Sequence, residues 1–199
     1  MSTNASVRFF DEQFQRQVAA ADLQLNPFEA LALPHIQGKV LDYGCGLGNL
    51  SVAGARQGCA VVALDGSHAA IEHLRLVAKR DGLQIEAHET DLRTYELRDD
   101  FDTVVCIGLL MFFDCPTAFH QLSLLQAHVR PGGTLVVNVL TEGTTYMDMF
   151  SPEGHCLFKP GYLRQRLTGW ELLSYVQQEF AAPRNTVKAF DTAIARMPH

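Results

Sequence analysis

The sequence predicts a single α/β domain in which helices cover both faces of a mostly parallel β-sheet. Apolar runs at residues 59–64 and 101–108 have the composition of parallel strands that are buried on both faces. Helical periodicity recurs between such runs, most clearly over residues 67–82. A glycine-rich turn at residues 44–48 follows the first strand, and strand-turn-helix units of this kind bind ligands at the carboxyl edge of a sheet.

The composition indicates one globular domain that acts on a small molecule. The 199 residues are 47% apolar and 19% charged, which suffices for one sizeable core. A net charge of -6 disfavours a basic surface for nucleic acid. The longest apolar run, residues 104–113, is far shorter than the roughly 20 residues that span a bilayer. The first residues lack the pattern of a secretory signal, so we expect a cytoplasmic monomer or homodimer without nucleic-acid or membrane partners.

The cysteine pattern favours free thiols. An odd number of cysteines without a C-x-x-C pair fits reduced thiols better than disulfides or zinc, and no metal site is expected. Cys45 lies in the glycine turn, where it is either a small residue that fits the backbone or a catalytic thiol. The five cysteines expected to be free are Cys45, Cys59, Cys106, Cys115 and Cys156.

The N-terminal region predicts two helices ahead of the sheet. Phe10 and Phe14 lie on one stripe of an amphipathic helix over residues 9–21. A shorter helix is expected over residues 27–33. The aromatic side chains either dock the first helix on the core or contact a bound ligand, and residues 1–36 are expected to form a helical cap.

The glycine turn has the spacing G-x-G-x-G, whereas dinucleotide-binding turns have G-x-G-x-x-G. Asp42 ends the preceding strand, where a carboxylate suits a cationic ligand. S-adenosylmethionine (SAM) carries a sulfonium and an α-ammonium but no phosphate, so this loop favours SAM over a nicotinamide dinucleotide. The first candidate cofactor ligands are Asp42, Gly44, Cys45, Gly46, Gly48 and Asn49.

Residues 40–48 resemble motif I of the class I SAM-dependent methyltransferases. The resemblance implies a Rossmann-like fold with a mostly parallel seven-stranded sheet, helices on both faces and a C-terminal antiparallel hairpin. It also implies SAM as the methyl donor and S-adenosylhomocysteine (SAH) as the product. Because Gly-x-Gly turns are common, the elements that follow decide how specific the resemblance is.

A second group of candidate ligands follows the strand at residues 59–64. Asp65 comes about 20 residues after the first strand, where doubly wound folds bind a ribose diol. A carboxylate accepts hydrogen bonds from both hydroxyls, although an isolated Asp after a strand is more often a helix cap. Gly66 and Ser67 open the next helix beside it, so we expect all three residues at the ribose.

The third and fourth strands also end in candidate ligands. Asp91 and Leu92 follow the strand over residues 83–88, and an acid beside an apolar residue suits the amine and the flat face of adenine. The family resemblance implies an adenine contact for this Asp, whereas the residues alone are also explained by a solvated turn. Ile107 and Gly108 end the fourth strand, where the resemblance implies the methionine part of the cofactor.

The remaining chain predicts the end of the sheet. The turn Arg130-Pro131-Gly132-Gly133 follows a helix that begins near Asp114. The elements expected next are a strand over 134–140, a loop over 141–159, a helix over 160–167 and a hairpin of strands 170–180 and 186–196. A loop of this length is expected to be functional and to lie over the reactive end of the cofactor. The single domain then comprises the cap, a SAM-binding core over residues 38–140 and a substrate-side part over residues 141–199.

The C-terminal third is similar to one branch of the family, the tellurite-resistance methyltransferases of the TehB type. The stretches that carry this similarity are residues 109–113, 158–164, 169–171 and 193–196. That branch carries a His-Arg pair after the strand that follows Gly-Trp, and here Pro183 replaces the His while Arg184 matches. The resemblance implies a tellurium or selenium oxyanion as methyl acceptor, but an oxyanion needs cationic donors and one Arg offers few.

The expected reaction is an in-line displacement in which a nucleophile attacks the sulfonium methyl and SAH departs. Alignment of the reactants and exclusion of water supply the catalysis, without a dedicated base. The candidate substrate-side residues are Arg184, Tyr146, His155 and Arg164, each of which is also explained as a solvated surface residue. Two alternatives stay open, a nicotinamide-dependent oxidoreductase and a non-catalytic SAM-binding module.

Overall fold

The computed structural model describes residues 10–11, 13–17, 24–150 and 154–199. The strands within these residues are β1 (Lys39–Tyr43), β2 (Ala60–Asp65), β3 (Ile85–Glu89), β4 (Phe101–Ile107), β5 (Val129–Leu140), β6 (Glu171–Ala182) and β7 (Thr186–Arg196). They form one sheet in the order β3-β2-β1-β4-β5-β7-β6. Strands β1 to β5 are parallel, and β7 lies antiparallel between β5 and β6. The fold class and the C-terminal hairpin predicted from the sequence are therefore confirmed.

The helices that follow or precede these strands agree closely with the sequence pattern. They are α1 (Pro27–Ala32), α2 (Asn49–Arg56), α3 (His68–Asp81), α4 (Cys115–Ala127) and α5 (Tyr162–Arg166). Residues 10, 11 and 13–17 are helical, and the rest of the helix predicted over residues 9–21 lies outside the described residues. Within the described part of the chain, no helix combines the length and the apolar character needed to cross a membrane.

Local signals set the helix ends. The Asn26 side chain accepts hydrogen bonds from the N–H groups of Phe28 and Glu29, while the Glu29 carboxylate accepts one from the Asn26 N–H at 2.8 Å. This reciprocal pair is a capping box and begins α1. Ser67 caps α3, which ends at Gly82 with a positive φ of 63°. These caps fix where α1 and α3 begin and where α3 ends.

The sheet has an apolar core on each face. Side chains of a strand alternate between faces, so Leu41 and Tyr43 pack in one cluster while Val40 packs in the other. Asp42 therefore points to the face that α2 covers. The chain runs outward from β1 to β3 and returns to β4 on the other side of β1, which opens a crevice between the carboxyl ends of β1 and β4.

Strand β5 begins earlier than the sequence predicts. It starts at Val129, which pairs with Phe101, so the Pro-Gly-Gly turn lies inside an irregular stretch of the strand. The reason is a contact distant in sequence, because the Gly132 N–H donates to the Met197 carbonyl at 3.1 Å and the Met197 N–H donates to the Gly133 carbonyl at 2.8 Å. The C-terminal residues thus hold this turn in the sheet.

The described part of the loop over residues 141–159 packs against the end of β5 and the segment that follows β4. The Cys156 N–H donates to the Met111 carbonyl at 3.0 Å, and the Phe158 N–H donates to the Leu140 carbonyl at 2.9 Å. No described residue of this loop lines the crevice, so the expected position over the reactive end is not observed for that part of the chain.

The same loop corrects the cysteine prediction. Cys115 at the start of α4 and Cys156 in the loop form a disulfide, with their Cα atoms 4.7 Å apart. The expectation of five free thiols was therefore wrong. Among the described cysteines, Cys45, Cys59 and Cys106 are free and buried. The pairing depends on how the loop packs, which the cysteine count alone does not reveal.

Reduction of this disulfide is expected to lower the free energy of unfolding by about 4 kcal/mol, because the bond closes a loop of intermediate length in the unfolded chain. The two residues are 41 positions apart. Urea unfolding of the protein with and without reductant measures the effect, with the double variant Cys115→Ser and Cys156→Ser as the control that reductant leaves unchanged. Equal unfolding midpoints for the oxidised protein and the double variant would contradict the expectation.

Candidate active site

A cavity of about 590 Å³ lies at the crevice between the carboxyl ends of β1 and β4. It is lined by nearly all the residues predicted to bind the cofactor, namely Asp42, Gly44, Cys45, Gly46, Asn49, Asp65, Gly66, Ser67, Asp91, Leu92, Ile107 and Gly108. Gly48 is the exception. It precedes α2 with a φ of 74°, and a Cβ there would lie 2.6 Å from the Leu74 side chain, so its role is close packing.

Asp65 connects two walls of this cavity. One carboxylate oxygen accepts a hydrogen bond from the Gly46 N–H and the other accepts one from the Ser67 N–H, both at 2.8 Å. Burial raises the pKa of Asp65, whereas these two N–H groups lower it. Each carboxylate oxygen has a second lone pair that can accept from a ligand hydroxyl. The glycine loop and the start of α3 thus position the carboxylate expected at a ribose.

Asp42 is buried beneath the glycine loop, with 5% of its surface exposed. Burial raises the pKa of Asp42 to about 7, and the Ser51 hydroxyl, which donates a hydrogen bond at 2.6 Å, lowers it. The nearby carboxyl groups of Glu29 and Asp65 raise the pKa further. A buried carboxyl group of this kind gains from a cationic neighbour, which would stabilise its charged form.

Asp91 and Leu92 follow β3 and also line the cavity. The carboxylate of Asp91 accepts two hydrogen bonds from the Arg93 guanidinium, at 2.9 and 2.6 Å. The Arg93 guanidinium holds the pKa of Asp91 below its ordinary value. Leu92 is buried, and its carbonyl accepts a hydrogen bond from the Tyr43 hydroxyl. An adenine amine at Asp91 would therefore share the carboxylate with Arg93.

The described N-terminal helical residues lie across the glycine loop. A Cβ at Gly46 would lie 3.1 Å from the ring of Phe14, and the Phe10 ring packs edge-on against Phe112 with 4.9 Å between centroids. The Ser67 hydroxyl donates a hydrogen bond to Asp11. Phe10 and Phe14 both line the cavity, so these side chains dock the helix and also face the ligand space.

Sequence interpretation missed several lining residues. Glu29 reaches the cavity from α1, and burial raises the pKa of its carboxyl group. The capping-box spacing of Asn26 and Glu29 predicts a helix start but not that its carboxylate faces the glycine loop. The other lining residues not singled out were Gln13, Gln17, Gln24, Asn26, Leu47, Leu50, Glu89, Thr90 and Arg93.

Cys45 behaves as a residue of the turn. Burial raises the pKa of its thiol well above the ordinary value, and the carboxylate of Asp42 raises it further. A reactive cysteine needs a lowered pKa. The structure therefore favours the small-residue alternative over a catalytic thiol.

The predicted substrate-side residues lie elsewhere. Arg184 and Asn185, both with a φ of 58°, form the tip of the β6–β7 hairpin, and the exposed Arg184 guanidinium pairs with Asp148. His155 stacks on Phe150 with 4.7 Å between centroids, and Tyr146 lies beneath the Lys188 ammonium at 4.8 Å. The fourth candidate, on α5, is Arg164. None of the four belongs to the described lining of the cavity.

Known proteins share this sequence pattern and fold. Residues 40–133 match a family model described as a methyltransferase domain. Hemagglutinin 1 of Eikenella corrodens is 32% identical over 139 residues, which cover 69% of this chain and 45% of that protein. The chain spans about half the length of the curated relatives it matches.

Two solved structures align over most of the chain. The structure of TehB from Haemophilus influenzae superimposes with a TM-score of 0.74 at 21% identity, covering 87% of this chain and 62% of that one. The N-methyltransferase NodS from Bradyrhizobium japonicum WM9, in complex with SAH, superimposes with a TM-score of 0.70 at 21% identity, covering 96% of this chain and 99% of that one.

The chain therefore has the fold of the class I SAM-dependent methyltransferases, as residues 40–48 indicated. Within that class its fold resembles that of TehB.

Proposed function

We propose that this protein transfers the methyl group of SAM to a small-molecule acceptor. The observation that carries the proposal is the convergence of Asp42, the glycine loop and Asp65 on one cavity at the carboxyl edge of the sheet. Asp65 accepts from the ribose hydroxyls, Asp91 and Leu92 hold the adenine, and Asp42 stabilises the cationic methionine end. The SAH complex of NodS, a protein of the same fold, supports this choice of cofactor.

SAM supplies a methyl group that is already activated by the positive charge on sulfur. The protein has to align the acceptor with the methyl and keep water out. The glycine loop allows close approach because Gly44 and Gly46 have positive φ values and carry no side chain toward the cavity. The Phe14 ring of the described N-terminal helical residues lies against Gly46 of that loop.

The two alternatives predict different ligands. A nicotinamide-dependent oxidoreductase would be stabilised against heat by NADH and not by SAH, while a non-catalytic SAM-binding module would bind SAH but transfer no methyl group. Thermal unfolding with SAH and with NADH distinguishes the first alternative. Radiolabelled SAM with a panel of acceptors, including tellurite, selenite, thiols, amines and small carboxylates, distinguishes the second.

The choice of methyl acceptor depends on the resemblance to TehB and on the cations near the cavity. The resemblance to TehB supports a tellurium or selenium oxyanion. Arg93 is the one guanidinium among the described lining residues, and it is paired with Asp91. An oxyanion would need donors such as Arg184, which lies outside the lining. Support for the oxyanion thus comes from the resemblance rather than from the cavity.

The variant Arg184→Gly is expected to change SAH affinity and methyl transfer by less than about twofold. Glycine adopts the positive φ of this turn without strain, so the hairpin keeps its shape while the guanidinium is lost. Labelled-SAM assays with each acceptor measure the effect, and Asp148→Asn, which removes the pairing partner, is the control. Loss of tellurite methylation in Arg184→Gly alone would make Arg184 an acceptor ligand.

A further inference from the structure

We propose that the acceptor subsite, bounded by Phe10, Leu109 and Phe112, takes an uncharged organic molecule with a flat, apolar body rather than an oxyanion. The inference rests on the proposed methyl transfer and specifies the class of its acceptor. All three side chains line the cavity beside Gly108, at the end of β4, where the reactive end of the cofactor is expected.

An aromatic wall borders this subsite. The Phe10 ring meets the Phe112 ring edge-on at 4.9 Å, and the Phe112 ring packs against Phe150 at 5.3 Å. Phe14 extends the wall toward the glycine loop, 5.9 Å from Phe10. Contacts on the side away from the cavity hold Phe112 in place, so its ring is a fixed surface. Flat or apolar bodies pack favourably on such a surface.

Space for an acceptor exists in front of this wall. A Cβ added at Gly108 would meet no atom of the described residues within 4 Å, whereas one added at Gly44 would lie 2.9 Å from Leu109. The described residues therefore leave open space beside Gly108, whereas Leu109 fills the space beside Gly44. The polar side chains that the described residues of 10–17 add to the lining are Gln13 and Gln17, which are uncharged amides.

The charge of the cavity opposes an anionic acceptor. The carboxyl groups among the described lining residues are Glu29, Asp42, Asp65, Glu89 and Asp91. The guanidinium of Arg93 lies 2.6 Å from Asp91 and neutralises it, and the His68 imidazole pairs with Glu89 at 2.7 Å. The net field of these groups repels an oxyanion and favours an uncharged or cationic ligand. A sulfonium cofactor neutralises part of this field, but the described lining offers an oxyanion no basic side chain other than Arg93, which is paired with Asp91.

An uncharged nitrogen or sulfur nucleophile can accept the methyl group of SAM directly. Its lone pair forms the new bond to the methyl carbon while the bond between sulfur and methyl breaks, and that electron pair stays on sulfur to give neutral SAH. If the nucleophile is a ring nitrogen or a thioether, it has no proton to lose and becomes a cation. The carboxyl groups of the cavity would stabilise that cationic product.

A matched pair of probes tests the proposal. Quinoline is flat and uncharged at neutral pH, and quinoline-4-carboxylate has the same body with one negative charge. With SAH bound, we expect quinoline to bind at least about tenfold more tightly than the carboxylate, because like charges repel in the cavity. Tellurite and selenite are expected not to bind. Calorimetry or ligand-observed NMR measures all four.

Substitution of the wall tests its position. At saturating SAH, Phe112→Leu is expected to weaken quinoline binding about three- to tenfold, because one aromatic contact is lost. Phe119→Leu is the matched control, since Phe119 stacks on Tyr162 outside the cavity.

Two results would overturn the proposal. One is binding of tellurite or selenite to the SAH complex, and the other is the absence of quinoline binding to that complex. A protein that binds no SAH at all would instead refute the proposed function, so the two failures are distinguishable.

Discussion

Asp65→Asn is expected to weaken SAH binding by roughly 100-fold, which corresponds to about 2.7 kcal/mol. The carboxylate accepts hydrogen bonds from the Gly46 and Ser67 N–H groups and, in the proposed complex, from both ribose hydroxyls. An amide offers one oxygen in place of two, and its NH₂ group would face a donor of the protein or of the ribose. Replacement of the Asp65 carboxylate therefore weakens the contact with the ligand and also changes the shape of the glycine loop.

Calorimetric titration with SAH measures this loss. Asp99→Asn is the matched control, because Asp99 is an exposed carboxylate that pairs with Lys39 far from the cavity lining. Circular dichroism and urea unfolding of Asp65→Asn show whether the fold persists. Unchanged SAH affinity in a folded Asp65→Asn protein would remove the ribose assignment.

SAM affinity is expected to rise steeply with pH between about 5.5 and 7.5, by up to about tenfold per pH unit. Burial raises the pKa of Asp42 to about 7, so below that pH the carboxyl group is protonated and cannot stabilise the cationic end of SAM. Above about pH 8 the α-ammonium of the ligand loses its proton, and affinity falls again. The expected profile has a maximum between these limits.

Two variants distinguish the contribution of Asp42 to the pH profile from that of other titrating groups. Asp42→Asn keeps an acceptor for the Ser51 hydroxyl but does not titrate, so the rise toward pH 7.5 disappears and affinity near pH 8 falls roughly 10- to 100-fold. Ser51→Ala removes the hydrogen bond that lowers the pKa of Asp42, so the rise moves to higher pH. A wild-type profile retained in Asp42→Asn would exclude this carboxyl group as its cause.

The same pKa gives a stability effect of defined sign. The folded-state pKa of Asp42 is about 7, above its ordinary value of 3.8, so the unfolded chain loses this proton first as pH rises. The contribution of Asp42 to stability is thus present below about pH 4 and is lost progressively as pH rises to about 7. Asp42→Asn is expected to stabilise the unliganded protein near pH 8, on the order of a few kcal/mol. The charged Asp42 thus destabilises the unliganded protein at the position where the proposed cationic cofactor binds.

The cofactor side of the cavity could be predicted because its signals are local. Asp42, the glycine loop and Asp65 follow strand ends, and parallel strands bring their carboxyl ends to one edge of a sheet. Glu29 could not be predicted in the same way, because its contact with the cavity depends on how α1 packs. The Cys115–Cys156 disulfide and the early start of β5 likewise depend on contacts between segments distant in sequence.

The substrate side was harder to predict for a different reason. Arg184 matched a family pattern by residue type, but the β6–β7 hairpin places it in a tight turn where it pairs with Asp148. The residue type of Phe112 is compatible with the core or with the wall of the cavity, and the structure places its ring in the wall, against Phe10. The residue types of Arg184 and Phe112 thus indicated the chemistry expected on the substrate side, whereas the positions of these residues depended on tertiary packing.

The most direct test of SAM binding is a calorimetric titration of the unmodified protein with SAH at neutral pH, followed by the same titration with NADH. We expect SAH to bind to a single site in the micromolar range or tighter, and NADH to give no binding heat. Binding of NADH without binding of SAH would contradict the assignment of this cavity to an adenosyl sulfonium cofactor.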